Sequence, residues 1–275
     1  MNLSNFDWKT YLAKIQRQSY LAIGGAIFVF FCICAGGVWY FYEQKESAKE
    51  VEKKRQEQEL ANKIKSINDY YADILSSSST TKAIDIFLAI NQSSVPLSLS
   101  GFNLDLYSCD VNSCTFSYST TNEKIFNIQE VNFLGEYYKA NISEKGLEYQ
   151  ISQSSLADND LREKYNSMED IPVADCSELV NYVHSFNSLT SDSKGKIVLS
   201  GYPDSSISSV EDVLPEIKKK YGFKNVQWST TLPNDILSVT SFLSRQAYKE
   251  SFRVNKIEKK QSSEIEISGN LLCAI

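Results

Sequence analysis

Apolar and polar positions divide this chain into an unbroken apolar run, a charged run and a long region of short alternating segments. The run Tyr20 to Tyr42, YLAIGGAIFVFFCICAGGVWYFY, contains no charged residue. As a helix it rises ~34 Å, enough to cross a ~30 Å hydrocarbon core. Tyr20 opens it and Trp39, Tyr40 and Tyr42 close it, and such rings favour headgroup level. The run exceeds the ~7–15-residue core of a cleaved signal peptide, and bulky aromatics stand where cleavage would occur. The pattern predicts a retained transmembrane helix over 20–42. Gly24-Gly25 and Gly36-Gly37 would let a second helix approach closely. Cys32 and Cys34 fall on different faces of that helix, as apolar fillers.

Residues 1–19 form a short arm in which Trp8, Tyr11, Leu12 and Ile15 recur at helical spacing after a capping box at Ser4 to Asp7. Residues 43–75 read as a helical stalk. Its first part, EQKESAKEVEKKRQEQE, is charged on every side. Glu50 with Lys54 is a favourably ordered i,i+4 pair, and Lys53 with Glu57 and Arg55 with Glu59 are reversed ones. Then Leu60, Ile64, Ile67, Tyr71 and Ile74 step by 4, 3, 4 and 3, a short heptad seam. That seam would pair with a partner's helix or pack on the chain's own domain.

Beyond the stalk the periods mix. A Thr81-capped helix is predicted through Ala83, Ile86 and Ile90, ending at Val95-Pro96. A hairpin follows around Cys109 and Cys114, and Glu123 to Tyr138 is ambiguous between helix and strand. Gly146 to Ser152 reads as a strand. Residues 153–172 are polar and irregular, which places a domain boundary there. After it come a Ser177-capped helix, a strand over Lys196 to Tyr202 and a helix from Ser208 ending near Lys218-Lys219-Lys220. A short strand over Lys224 to Trp228 and a helix capped by Asn234 or Asp235 follow. A last hairpin, Phe252 to Ile257 with Glu264 to Ile267, extends toward Cys273. The expectation is two α+β domains of the ferredoxin-like kind, at 76–153 and 173–275.

Cysteine usage and charge then place the outer region. Cys109 and Cys114 bracket Asp-Val-Asn-Ser between alternating strands, which sets the sulfurs opposite each other and predicts a disulfide. Cys176 and Cys273 pair by default, closing a loop of about 98 residues, although four cysteines admit three connectivities. Disulfides imply an oxidising compartment. Lys and Arg flank the apolar run on both sides and, counted alone, favour the opposite orientation or do not orient it. The short arm and the cysteines do: the arm is inside and 43–275 outside. With 28 basic and 34 acidic residues the chain repels phosphate backbones, so nucleic acid is not an expected partner. No phosphate loop, dinucleotide fingerprint or serine elbow occurs. His184 is the sole histidine, on a helix where it packs or meets solvent, so no metal, cofactor or catalytic residue is predicted.

The layout of arm, single span Tyr20–Tyr42, charged helix 43–75 and strand-rich outer halves resembles the inner-membrane alignment proteins of type IV pilus and type II secretion machines. It looks most like the PilO-type pilin accessory proteins of type IVb systems, the TcpD-like group. The opening Met1-Asn2-Leu3 with Trp8-Lys9 resembles the arm by which PilN-type partners engage a cytoplasmic actin-like protein, without the Leu-Pro dipeptide usual there. The resemblance implies a non-catalytic scaffold in the bacterial inner membrane, homo- or hetero-oligomeric, linking cytoplasmic and periplasmic components. It also implies other pilus-machine membrane proteins as partners, through Leu60, Ile64, Ile67, Tyr71 and Ile74 and the outer domains. A different class, a single-span sensor or regulator with a ligand-binding outer domain, would need a cytoplasmic output module, which 19 residues hardly hold.

Overall fold

The computed structural model describes residues 8–120, 130–143, 146–152, 156–203, 207–212, 214, 219–260 and 263–274, with side chains from residue 32 on except 35, 38, 41 and 208. The chain divides into two compact units, Met1–Ile64 and Lys65–Ile275.

Helix α1 (Trp8–Ile74) supplies the described part of the first unit and the opening of the second. Among the residues described in full, no helix is long and apolar enough to cross a membrane. Most side chains of the Tyr20–Tyr42 run lie outside that description, as do residues 1–7 of the arm. Cys32 and Cys34 are free and exposed. The stalk pairs form as their spacing dictates: Lys54–Glu50 at 3.3 Å, Arg55–Glu59 at 3.3 Å and Lys53–Glu57 at 3.9 Å. All are solvent-exposed, so each contributes only ~0.3–0.5 kcal/mol to the helix.

In the second unit the elements run β1 (Ser78–Ser79), α2 (Thr80–Leu99), β2 (Phe102–Asp110), β3 (Cys114–Thr120), β4 (Glu130–Phe133), β5 (Glu136–Lys139), β6 (Asn141–Ser143) and β7 (Gly146–Ile151). They continue as α3 (Asp160–Asn166), α4 (Cys176–Leu189), β8 (Val198–Leu199), α5 (Ser208–Asp212), β9 (Lys224–Pro233), α6 (Ile236–Ser244), β10 (Phe252–Lys259) and β11 (Glu264–Cys273). The class is α+β. Among the described residues nine strands form one antiparallel sheet in the order β6-β7-β3-β2-β10-β11-β9-β8, with β1 added on β10, while β4 and β5 pair apart.

That order corrects the expected domain boundary. Strands β2 and β10 pair through Tyr107–Lys259, Ser108–Glu258, Cys109–Ile257 and Asp110–Lys256, so the two halves share one sheet and Lys65–Ile275 is one unit. Residues 156–172 belong to that unit and include α3 rather than a linker. The halves do repeat a topology. In the first, β2, β3, β6 and β7 stand in the order β2-β3-β7-β6; in the second, β8, β9, β10 and β11 stand as β8-β9-β11-β10. In each, the second and third strands flank the fourth and run parallel to each other, a split crossover. Helix α6 makes that crossover in the second half, and the β4–β5 hairpin lies within it in the first.

Helices α2 and α6 pack together on one face of the sheet, and Phe186 of α4 meets Phe242 of α6 at 5.8 Å. The core lies beneath them, where Phe87, Ile90, Phe116, Tyr118, Trp228, Val254, Ile257 and Ile267 are buried. A register shift between Val254 and Lys256 lets Val254 and Ile257, three apart, face the same core. Gly269 is required by a close approach: a Cβ there would lie 1.8 Å from the Arg253 carbonyl oxygen, which accepts a 3.1 Å bond from the Trp228 indole. The opposite face carries Gln150, Thr115, Ser108, Glu258 and Glu266 in register across five strands.

Local signals set most boundaries, and tertiary contacts moved the rest. Helix α2 does not stop before Pro96 but runs on to Leu99. Pro96 leaves one carbonyl, on exposed Gln92, for water, and the next turn buries Leu97. Asp175, not Ser177, caps α4: its Oδ1 accepts from the Ser177 and Glu178 N–H groups at 2.7 and 3.4 Å. Asp235 caps α6 through the Ser238 N–H at 2.8 Å. The strand expected over Lys196 to Tyr202 narrows to Val198–Leu199, and the one over Lys224 to Trp228 lengthens to Pro233.

Hydrogen bonds from Ser177, its hydroxyl foremost, hold the Asp175 carboxyl below its usual range, and Ser238 does the same for Asp235. A depressed folded-state pKa contributes stability above the unfolded value of ~3.9, and loses it as pH falls through the folded value. Asn keeps the cap but cannot titrate. The Asp175→Asn, Asp235→Asn protein should therefore match the parent's melting temperature near neutrality and lose less of it below ~pH 4. Parallel melting curves against pH for the two proteins would contradict this.

Candidate functional site

The last turns of α1, from Lys65 on, belong to the second unit. Ile67, Tyr71, Ile74 and Leu75 are at most 1 % exposed. The Tyr71 ring packs on Tyr165 at 4.7 Å and on Tyr221 and Phe223 at 6.0 Å each. Tyr70 donates its hydroxyl to the Phe223 carbonyl at 3.3 Å, and Tyr165 donates to Asn68 at 3.0 Å. Burial pushes the Tyr71 phenol well above its usual range, and the Glu211 carboxylate adds to the shift. Glu211 itself is buried and accepts from the Gly222 N–H at 3.2 Å.

This placement corrects the seam. Of Leu60, Ile64, Ile67, Tyr71 and Ile74, the last three serve the chain's own aromatic cluster and are closed to a partner's helix. Leu60 and Ile64 belong to the other unit and are half-buried. A heptad stripe reports only that one helix face is apolar; it does not say which surface covers it.

Beside the aromatic cluster lies a polar joint that no sequence pattern announced. Arg253 on β10 is fully buried. Its Nη2 donates to the Ser77 carbonyl, in the segment leaving α1, and lies 3.9 Å from Asp158 Oδ2. Asp158 Oδ2 also accepts from the Ser79 N–H at 3.3 Å, and the Asp158 N–H donates to the Ser76 carbonyl at 3.1 Å. Lys82 closes the joint by donating to the Ala157 carbonyl at 2.6 Å. Desolvation lowers the Arg253 pKa, and Asp158 opposes that shift. The one sequence clue was Arg253 between Phe252 and Val254, a charge inside an otherwise apolar strand start.

Both predicted disulfides form. Cys109 and Cys114 are register partners on β2 and β3, closed by the Asp110 N–H to Ser113 carbonyl bond at 2.9 Å. Cys176 and Cys273 join the start of α4 to the end of β11 with Cα atoms 4.9 Å apart. Two backbone bonds reinforce that link, Cys176 N–H to the Ala274 carbonyl at 3.0 Å and Ala274 N–H to the Ala174 carbonyl at 2.9 Å.

The concave surfaces are open grooves whose linings mix polar and apolar side chains. A groove of about 430 Å³ runs over Ser108, Thr115, Ser117, Gln150 and Glu258, and one of about 580 Å³ over Asn112, Gln227, Ser229, Lys256 and Ser268. A third, about 440 Å³, lies between Pro96 and Leu97 of α2 and Val131, Leu134 and Tyr137 of the β4–β5 hairpin. Among the described residues no group of three or more His, Cys, Asp or Glu side chains is placed to hold a metal ion, and His184 is exposed. No protein-family profile, curated protein or solved structure matches the chain.

The long-range disulfide joins cysteines 97 positions apart and the hairpin bond cysteines 5 apart. In the chain-entropy picture the former contributes ~4–5 kcal/mol and the latter ~2 kcal/mol. Cys176→Ser should accordingly lower the urea midpoint more than Cys114→Ser, and the reverse ranking would refute the loop-length argument. Tyr71→Ala should cost about 3–5 kcal/mol, as truncation of a buried aromatic does. Leu60→Ala should cost markedly less; equal losses in denaturant titrations would deny the aromatic cluster its role.

Proposed function

We propose that this chain is a non-catalytic, single-span scaffold of the bacterial inner membrane, serving a type IV pilus assembly machine or a related secretion machine. The observation that carries the reading is the pair of disulfides in an α+β unit that opens with the end of α1. Disulfides belong outside the cytosol, and the same helix contains the uncharged run Tyr20–Tyr42. A chain with its outer part in an oxidising compartment and one apolar segment near its start is bitopic, with residues 1–19 inside and 43–275 outside. The two halves of the sheet are read as ferredoxin-like folds with permuted strand order, fused edge to edge. Their shared strand sequence supports that reading, as does the resemblance in layout to PilO-type accessory proteins.

On this reading partners meet the chain on surfaces that its own core leaves free. Residues 43–59 are exposed along their whole length. The polar sheet face around Ser108, Glu258 and Ser268 is a second such surface. The arm 1–19 would meet a cytoplasmic partner.

Topology gives the direct test. Alkaline phosphatase fused after residue 60 and after residue 275 should be active at both sites, and fused after residue 15 inactive. Inactivity at residues 60 and 275 would overturn the assignment. Deleting the gene should abolish surface fibres or secretion while leaving growth intact, and unchanged fibres and secretion would refute the scaffold.

A further inference from the structure

The two ends of the sheet are not alike. In the first half the leading edge strand is β2, and it pairs with β10, the third strand of the second half. In the second half the leading edge strand is β8, which ends the sheet; among the described residues no strand pairs with its outer side. The opposite end is β6, the third strand of the first half. Strands β8 and β6 therefore hold the same two topological positions as β2 and β10. A second copy presenting its β6 to β8 would repeat between molecules the junction that already exists within one. Each edge also carries an exposed apolar residue, Val198 at 61 % and Ile142 at 62 %. Such an end is a template for sheet extension, and its head-to-tail sense leads to rings or filaments rather than closed dimers.

One side chain stands in the way. Asn187, in the last turn of α4, donates its Nδ2 to the Ile197 carbonyl and accepts from the Ile197 N–H at its Oδ1, both at 2.7 Å. A carboxamide offers the same donor and acceptor as a peptide unit, so it makes the two bonds a neighbouring strand would make. The flanking backbone is already committed inward: Ser200 N–H donates to the Gln227 carbonyl at 3.0 Å and Gly195 N–H to the Thr231 carbonyl at 2.8 Å, both on β9. The Ile197 side chain is buried in the core, which fixes its backbone under the amide.

We infer that Asn187 is an edge plug: it occupies the outward backbone groups at Ile197 and so prevents β8 from receiving β6 of a second copy of this chain. Without the plug, Ile197 presents a free donor and acceptor beside exposed Val198, and the sheet can continue from one molecule into the next. At the β2 edge of the first half the same outward side of Tyr107–Asp110 is taken by β10 itself.

The test uses the full-length chain carrying Asn187→Ala, followed by sedimentation velocity across a concentration series and by amide exchange at Ile197. Exchange at Ile197 should quicken about tenfold or more, as loss of one hydrogen bond implies. Species larger than those of the parent should appear and grow with concentration. Adding Ile142→Lys, or Val198→Lys, to the same chain should return the parent's distribution, because either charge blunts one of the two edges. Faster exchange with the parent's sedimentation would overturn the proposal. Association that neither lysine reverses would also overturn it, since the contact would then lie elsewhere. If Asn187→Ala fails to fold, Asn187→Ser, whose shorter arm cannot reach both groups of Ile197, carries the same comparison.

Discussion

Four residue pairs, from Tyr107 with Lys259 to Asp110 with Lys256, form the seam along which two half-sheets become one. Everything else in the second unit depends on it. A four-stranded half covered by one or two helices would leave much of its inner face wet. Joining the halves lets α2 and α6 pack on each other over the seam, so that Phe87, Ile257, Ile267 and Val239 share one core. The seam needs two local distortions. The shift at Val254/Lys256 turns β10 so that it can pair with β2 on one side and β11 on the other. The shift at Leu104/Leu106 turns β2, and Lys259 donates to the Leu104 carbonyl freed there. Burial lowers the Lys259 pKa while Asp105 opposes it, so the amine sits at the seam as a partly desolvated donor.

The covalent links stand where this arrangement is most exposed to opening. Cys109 pairs with Ile257 across the seam and bonds Cys114 on the strand behind it. Cys176–Cys273 fastens the end of β11, a central strand, to the first turn of α4. Neither link is needed to specify the pairing, since register follows from the buried faces. Both remove unfolded conformations in which the strands are apart.

What could be read from the sequence was what is local. The hairpin at Cys109 and Cys114, the caps near Asp235, the last hairpin and the stalk's ion pairs all rest on residues within about twenty positions of one another. The α+β class followed from mixed periods. The seam did not, because Tyr107 and Lys259 are far apart in sequence and alternation reports faces, not neighbours. The same gap produced the expected boundary at 153–172: polar residues there serve a joint, with Asp158 reaching Ser79 and Arg253. Pro96 misled because a local helix breaker was outweighed by Leu97 entering the core. The β9 strand was cut short because Ser229, Thr230 and Thr231 look like a loop; Thr230 is nonetheless buried within the ladder to β11. Of the apolar seam on α1, the period was visible and the covering surface was not.

The end of α1 is held by two kinds of contact that fail in different ways. The cluster of Tyr71 with Tyr165, Tyr221 and Phe223 is apolar and tolerates small shifts of its rings. The joint of Arg253, Ser77 and Asp158 is directional and sits where water is excluded, so a shift of an ångström leaves a buried guanidinium without its acceptors. Together they make residues 67 to 79 part of the sheet's own framework: Ser78 and Ser79 pair with Val254 and Arg253, on the strand that also carries the seam. A displacement of the chain at Ser77 therefore acts on β10 directly. Strand β10 in turn pairs with β2 of one half and β11 of the other, so the strand that holds the end of α1 also joins the two halves.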